Sequence, residues 1–193
     1  MATAVICEFN PFHNGHKYLL ESAKNVLKEP VIAIMSGSFT QRGEVAVCDK
    51  FVRAKSALEN GADLVLELPV VFSLSGAEGF AKAGVAIASA FECTNHLAFG
   101  SESGDCGLLK KSAKAVCDER VQALVRDGMK NGGYYPRELE SAVKAVFGDG
   151  VSSVLCKPNN ILAVEYIKAL SSTSVEPFSV ARTGAAHDSR IAD

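Results

Sequence analysis

Short apolar runs alternate with amphipathic segments along the first hundred residues of this chain. Four runs are mostly apolar, as strands buried on both faces of a sheet are: residues 2–7, 31–35, 63–68 and 96–100. Three segments between them carry apolar residues at helical spacing: residues 17–27, 50–60 and 77–91. Strands that alternate with helices predict βαβ units, right-handed crossovers and a parallel sheet, so the predicted fold class is α/β.

Beyond residue 104 the alternation gives way to helices. Residues from about 105 to 150 predict an inserted helical block, which is followed by a helix over about 157–170 and a fifth strand over 177–182. The pattern predicts a Rossmann-like, doubly wound parallel sheet of about five strands. The chain has 193 residues, which suits one domain, predicted at residues 1–182.

The turn between the first strand and the first helix carries the most chemistry. It reads Glu8-Phe9-Asn10-Pro11-Phe12-His13-Asn14-Gly15-His16. A strand-to-helix turn directs backbone N–H groups and the positive end of the helix dipole to one point, which suits a phosphate group. Gly15 has no Cβ, so a nucleotide can approach the backbone closely. Asn14 is the predicted cap of the helix.

His13 and His16 flank this glycine, and both imidazoles can donate hydrogen bonds to phosphate oxygens. Protonated rings would add positive charge where negative charge develops in phosphoryl transfer. The spacing resembles the HxGH signature of the adenylyl-transferring nucleotidyltransferases. Two solvated histidines at a helix start are the alternative, because a four-residue pattern is weak by itself. The position directly after the first strand favours nucleotide binding.

Three further segments place polar residues near the edge where ligands bind in an open α/β sheet, outside the carboxyl ends of the strands. Arg42, in the loop after the second strand, either contacts an anion or RNA or is a solvated loop arginine. Gly100 ends the fourth strand and would let an adenine or ribose pack on the backbone. Asn159 and Asn160 begin a helix, where they either cap it or hold a nucleotide with exposed amides.

Composition and charge restrict the class of protein. The net charge of −2 gives no global basic field, so a nucleic-acid partner would need a local patch or a further domain. The basic residues of the helical block interleave with acidic ones, which favours a solvated face. No apolar run is long enough to span a membrane, and no signal peptide is apparent. The six cysteines have neither CxxC nor zinc spacing, so we expect reduced, buried thiols in a cytoplasmic protein.

Later motifs resemble one family, the bacterial tRNA(Met) cytidine acetate ligases. After the first turn, the resemblance is carried by MSGSFTQRGE at 35–44, DLVLELP at 63–69, FGSE at 99–102, KPNNIL at 157–162 and Ala181-Arg182. It spans nearly the whole chain, and only the first turn is shared with other adenylyltransferases. It implies a Rossmann-like fold of the HUP or nucleotidyltransferase type.

The resemblance implies an ATP-dependent ligase that acts on RNA. Family members activate acetate with ATP, which gives acetyl-adenylate and pyrophosphate, and then acetylate N4 of the wobble cytidine in elongator tRNA(Met). Magnesium is expected with the triphosphate, without a dedicated carboxylate cage. His13 and His16 are the implied catalytic residues. The implied ATP site comprises Ile6, Cys7, Glu8, Phe9, Asn10, Pro11, Phe12, His13, Asn14, Gly15, His16, Lys17, Tyr18, Leu19, Gly100, Asn159 or Asn160, and Arg182.

The chain departs from the family pattern in two places. Val45 stands where proline is expected. The chain also ends at about half the family's length, before a second phosphate-binding segment, so residues 183–193 are expected to be a truncated tail. The C-terminal domain, which should help to hold tRNA, is expected to be absent. Two other functions stay open: an adenylyltransferase that makes a dinucleotide cofactor or its precursor, and a non-catalytic nucleotide-binding module.

Overall fold

Five parallel strands form the centre of the fold in a computed structural model that describes residues 1–182. The strands are β1 (Ala2–Cys7), β2 (Val31–Ser36), β3 (Leu64–Leu68), β4 (Thr94–Ser101) and β5 (Glu176–Ala181). Their order in the sheet is β3-β2-β1-β4-β5, and every neighbouring pair is parallel. The predicted doubly wound α/β fold is confirmed, and each predicted strand lies within two residues of an observed one.

Helices connect these strands across both faces of the sheet. The longer ones are α1 (Asn14–Leu27), α2 (Lys50–Glu59), α4 (Ala77–Ala90), α5 (Cys106–Val116), α6 (Glu119–Lys130), α7 (Tyr135–Phe147) and α9 (Pro158–Leu170). Three single turns complete the set: α3 (Val70–Ser73), α8 (Asp149–Ser152) and a 3₁₀ turn (Ser153–Cys156). The sequence predicted no helix at α3.

Alternate residues of each central strand face different helical layers. On one face α1 and α2 bury Leu20, Ala23 and Ala57 against Val5 and the neighbouring strand residues. On the other face the core contains Ile6 and Ile34 together with buried residues of α4, α5 and α9. Because side chains alternate along a strand and both faces are covered, β1 and β2 are apolar at nearly every position.

The helical block extends the core of the second face. Helix α5 packs against α9, and α6 packs against α7. Val121 of α6 and Val143 of α7 are fully buried and belong to the same apolar cluster as the sheet residues on that side. The predicted inserted block is therefore continuous with the main core.

The cysteines differ from the sequence expectation. All six are free, but only Cys7 is buried, whereas Cys93, Cys117 and Cys156 are exposed. The exposed three lie in a turn or at the end of a helical segment, where apolar neighbours in sequence do not ensure burial. Among residues 1–182, no helix combines the length and the apolarity needed to cross a membrane.

Candidate nucleotide-binding site

The carboxyl ends of β1 and β4 lie side by side at the point where the strand order of the sheet reverses. The chain runs from β1 outward to β2 and β3, then returns to place β4 on the other side of β1. In open α/β sheets a ligand crevice forms at such a point. Helix α1 follows β1 and packs against β1, β4 and β5, so its N-terminus lies at this carboxyl edge.

Helix α1 begins three residues earlier than predicted, and its cap is His13 rather than Asn14. The Gly15 N–H donates to Nδ1 of His13 over 3.1 Å, and the His13 N–H donates to Nδ1 of His16 over 3.3 Å. The two imidazoles thus form the reciprocal capping box that serine or threonine with glutamate more often provides. The sequence prediction missed this because histidine is not among the preferred capping residues.

The cap also fixes the orientation of the two imidazoles. Their rings stack with centroids 3.6 Å apart, and the His16 ring lies 4.9 Å from that of Phe9 and 5.7 Å from that of Phe12. Since Nδ1 of each ring accepts a backbone N–H, the proton of each neutral ring is on Nε2. Both Nε2–H groups are therefore potential donors whose directions are set by the turn.

Several predicted ATP-site residues bury their side chains instead of presenting them to solvent. Ile6 and Cys7 lie in the cores on opposite faces of the sheet, and Phe9 is 1% exposed with a left-handed φ of 49°. Contacts of these three residues with a ligand would be through their backbone. By contrast, the side chains of six predicted residues in this stretch are exposed: Pro11, His13, Asn14, Lys17, Tyr18 and, further along, Arg182.

The loop after β2 folds into a small hairpin over the end of β1. Phe39 and Val45 form an antiparallel bridge, and Gly43 closes the tip with a φ of 81°. Oε1 of Glu8 accepts the Gln41 N–H over 2.5 Å. The exposed Arg42 is therefore the residue next to one that is hydrogen-bonded to the first turn.

A second hydrogen bond ties the base of this hairpin to the first turn. Oδ1 of Asn10 accepts the Val47 N–H over 2.8 Å. Glu8 and Asn10, both predicted to line the ATP site, therefore use side-chain oxygens to hold the hairpin in place.

Arg53 is a site residue that the sequence reasoning missed. It lies on α2, is 2% exposed, and donates to backbone carbonyls of three segments: Glu8, Ser36 with Gly37, and Cys48. Its guanidinium thus joins the ends of β1 and β2 and places positive charge beneath the turn. The signal in the sequence was a charged residue one turn before Ala57, on the same face of the helix.

At the end of β4, Glu102 caps helix α9. Its carboxylate accepts the Asn159 and Asn160 N–H groups over 3.2 and 2.8 Å, and the Asn159 side-chain amide over 2.8 Å. Desolvation raises the pKa of Glu102, but these hydrogen bonds outweigh it, so its pKa lies below the usual value. The expectation of exposed asparagine amides is corrected: Asn159 is bound to Glu102, and Asn160 is buried and accepts the Ser103 N–H.

Gly100 and Arg182 are neighbours at the same edge. The Arg182 N–H donates to the Ser101 carbonyl over 3.0 Å. The aliphatic part of the Arg182 side chain lies over Gly100, where Cγ would be 3.4 Å from a Cβ added to the glycine. A base or ribose that packs on Gly100 would therefore meet Arg182 as well.

The structure brings the predicted site residues to one edge of the sheet, with Arg42 on the hairpin beside them. In residues 1–182 no group of three or more histidine, cysteine or acidic side chains is arranged to hold a metal ion. The tail predicted at residues 183–193 lies outside the described residues.

Curated proteins of similar sequence cover nearly all of this chain. Two curated relatives are named tRNA(Met) cytidine acetate ligase. The Thermoanaerobacter sp. (strain X514) protein is 39% identical over 96% of this chain and 48% of its own length. The Caldanaerobacter subterraneus subsp. tengcongensis protein is 41% identical over 97% and 48%. The chain thus spans about half the length of the curated relatives it matches, and the predicted resemblance is confirmed.

Two crystal structures of Thermotoga maritima TmcAL have the same fold. The form described as bound with alpha-thio ATP has a TM-score of 0.89 and 38% identity, over 95% of this chain and 47% of its own. The apo form has a TM-score of 0.93 and 37% identity, over 100% and 48%. The sequence model of the HIGH Nucleotidyl Transferase family matches residues 1–193. By fold, by first turn and by this match over residues 1–193, the chain belongs to the HIGH nucleotidyl transferase family.

Proposed function

We propose that this chain carries the ATP-dependent activation site of a tRNA(Met) cytidine acetate ligase. The observation that carries the proposal is the stacked His13–His16 pair, whose Nδ1 atoms are used by the helix cap and whose Nε2–H groups are set at the start of α1. The relatives named as such ligases, and the neighbour described as bound with alpha-thio ATP, support the choice of reaction and nucleotide.

In the first step a carboxylate oxygen of acetate would attack the α-phosphorus of ATP. A new P–O bond forms, the bond from the α-phosphorus to the bridging oxygen breaks, and pyrophosphate leaves with that electron pair. His13 and His16 would donate from Nε2 to phosphate oxygens, and the N-terminus of α1 would stabilise the developing charge. Arg42 and Arg182 are exposed guanidinium groups at this edge, and we assign them to the phosphates.

In the second step the N4 amine of the wobble cytidine in elongator tRNA(Met) would attack the carbonyl carbon of acetyl-adenylate. A C–N bond forms, the C–O bond to the phosphate breaks, AMP leaves, and the amine loses a proton. No covalent enzyme intermediate is needed, so the rate enhancement would come from positioning and electrostatics. We place the reaction in the cytoplasm.

Magnesium would enter this site with the triphosphate. The described residues offer no cluster of three ligating side chains, so phosphate oxygens and water would supply its ligands. The ATP contacts that we propose for this chain are therefore imidazole, guanidinium and backbone groups.

The test is to incubate the 193-residue chain with ATP, magnesium and labelled acetate, without tRNA. We expect pyrophosphate and labelled acetyl-adenylate, both dependent on acetate. An adenylyltransferase that makes a cofactor precursor would instead release pyrophosphate only with a nucleotide-like acceptor. A non-catalytic module would bind ATP in calorimetry and release no pyrophosphate.

Transfer to RNA is tested separately. Elongator tRNA(Met) is added to the same mixture with and without the C-terminal region of a longer relative, and N4-acetylcytidine is measured after digestion. Acetyl-adenylate without transfer would restrict the proposal to activation. Failure to bind ATP would overturn the site assignment itself.

A further inference from the structure

The end of β2 and the loop that follows it contain an unusual concentration of unsatisfied polar atoms. In the part of the chain that the structure describes, five buried side-chain polar atoms lack a hydrogen-bond partner, and three of them lie within residues 36–41. They are Oγ of Ser36, Oγ1 of Thr40 and Nε2 of Gln41. Ser36 is 0% exposed and Thr40 is 4% exposed. Because an unsatisfied buried polar atom is costly, such a cluster requires a physical explanation.

Elsewhere in the chain, serine and threonine hydroxyls readily find local partners. Eight of them donate to a backbone carbonyl three to five residues away: Ser56, Ser73, Ser75, Ser112, Ser152, Ser153, Ser171 and Thr173. In the loop after β2, by contrast, the backbone is well satisfied. The Thr40 N–H donates to Glu44, the Gln41 N–H donates to Glu8, and the Ser36 carbonyl accepts from Arg53. The backbone is held, and three side-chain donors are left over.

Two of these donors flank the end of β1. Cys7 of β1 is in register with Met35 of β2, so the following residues, Glu8 and Ser36, are also adjacent. The Glu8 carboxylate in turn accepts the backbone N–H of Gln41. Ser36 therefore lies between the first turn and the hairpin, next to the residues proposed to bind ATP.

The charges around the loop suit a small monoanion better than a phosphate. Arg53 donates to the carbonyls of Ser36 and Gly37, and the Glu8 carboxylate lies on the other side. The carboxylate of Glu67, beside Gly37, is paired with Lys50, so cations and anions balance. Beneath Ser36 on the same face lie apolar residues of the core, including Ile34 and Leu68. Neutral donors with an apolar floor are what a carboxylate with a short alkyl group requires.

We propose that the loop over residues 36–41 is the subsite for the carboxylate co-substrate, with the Ser36 and Thr40 hydroxyls and the Gln41 side-chain amide as its donors. The ligand class is a small monocarboxylate, such as acetate. The inference rests on the proposed function, which requires acetate next to ATP. It adds residues that neither the HxGH turn nor the phosphate-binding arginines include.

The chain offers its own matched controls for a test. Ser89 and Thr94 carry the other two unsatisfied buried hydroxyls, and Thr94 begins β4 at the opposite edge of the sheet. The site variants are Ser36→Ala and Thr40→Val, and the controls are Ser89→Ala and Thr94→Val. None of the four removes a hydrogen bond within the described residues, so we expect all four to retain the parent's midpoint of thermal unfolding.

Acetate binding is measured directly, by NMR titration of ¹³C-acetate into the 193-residue chain saturated with a non-hydrolysable ATP analogue. We expect the parent and both controls to bind acetate equally. Each site variant should bind it about tenfold or more weakly, since hydrogen bonds to a charged group are involved. Affinity for the ATP analogue should be the same in all five proteins.

The outcomes separate the subsite from the ligase reaction. If the site variants bind acetate as the parent does, or if the parent binds none, the subsite is overturned, even where acetate-dependent pyrophosphate is released. If Thr40→Val lowers the unfolding midpoint and Thr94→Val does not, the Thr40 hydroxyl holds an internal water and the proposal also fails. If acetate binding is lost only in the site variants but no pyrophosphate forms, the subsite stands and the activation reaction does not.

Discussion

The two edges of the sheet use histidine in opposite ways. At the amino edge, Nδ1 of His96 lies 3.0 Å from a carboxylate oxygen of Glu29, which is 8% exposed and also accepts from the hydroxyl of Thr3. There Nδ1 is the donor. At the carboxyl edge, Nδ1 of His13 and Nδ1 of His16 accept backbone N–H groups, so the ring proton is on Nε2.

This difference separates a histidine that is hydrogen-bonded within the fold from the two that we propose to bind the nucleotide. The carboxylate at the amino edge is satisfied within the fold: burial raises the pKa of Glu29, but hydrogen bonds from Thr3 and His96 outweigh it and the pKa is lowered. At the carboxyl edge the backbone uses one nitrogen of each ring and thereby orients the other. The amino edge adds stability, and the carboxyl edge adds directed donors.

The largest expected effect is on catalysis at the carboxyl edge. His16→Gln keeps an acceptor at the third helical position, as glutamine does in ordinary capping boxes, but removes the imidazole. We expect acetate-dependent pyrophosphate release to fall by about a hundredfold or more, as loss of one charge-stabilising donor commonly does.

The matched variant at the amino edge is His96→Gln, which should retain pyrophosphate release within about a factor of two because His96 lies at the other end of β4. Circular dichroism of both variants checks that the helices are intact. Equal loss of activity in the two would contradict the distinction between the edges.

The next effect is on stability at the carboxyl edge. Arg53→Met leaves the carbonyls of Glu8, Ser36, Gly37 and Cys48 without their donor, so we expect a loss of about 3 kcal/mol or more in the free energy of unfolding by urea. Arg53→Lys keeps the charge but not the planar fork, and its loss should be intermediate. A change below about 0.5 kcal/mol in Arg53→Met, as for a surface residue, would show that the guanidinium does not join the strands.

A smaller loss is expected at the amino edge. Glu29→Gln weakens the hydrogen bonds from Thr3 and His96 and should cost about 1–2 kcal/mol in urea unfolding at neutral pH. The pKa of Glu29 is lower in the folded state than in the unfolded state. The stabilisation is therefore present when the pH is above the unfolded-state pKa, and it is lost as the pH falls through the folded-state pKa. The difference between parent and variant should therefore shrink in acid. ATP affinity, measured by calorimetry, should be unaffected.

The smallest effect is expected at the cap of α9. Glu102 is exposed, so solvent screening limits the contribution of its charge, and Glu102→Gln should cost about 0.5 kcal/mol or less. Because the folded-state pKa of Glu102 is lowered, this contribution to stability is present when the pH is above the ordinary pKa of 4.5. It is lost as the pH falls below that value. Thermal unfolding of the two proteins at pH 7 and pH 3.5 would measure it. A difference that grows on acidification would contradict the sign.

Much of this architecture followed from the pattern of apolar residues. The five strands and the longer helices were predictable because strands buried on both faces and amphipathic helices have distinct periods. The short helix α3 was missed because one turn has no period to detect. The burial of Arg53 with Phe51 and Val52 exposed was missed because it reverses the hydrophobic rule, for a guanidinium whose partners come from three distant segments.

The sequence by itself determined the α/β fold class, the position of the HxGH turn after the first strand, and membership in the nucleotidyl transferase family. The tertiary structure alone decided that His13, not Asn14, caps α1, that Glu102 caps the start of α9, and that the hydroxyls of Ser36 and Thr40 are buried without hydrogen-bond partners. The physical reason is range. Periodicity and turn chemistry act between residues near in sequence, whereas the partners of a polar side chain depend on which distant backbone groups the sheet brings beside it.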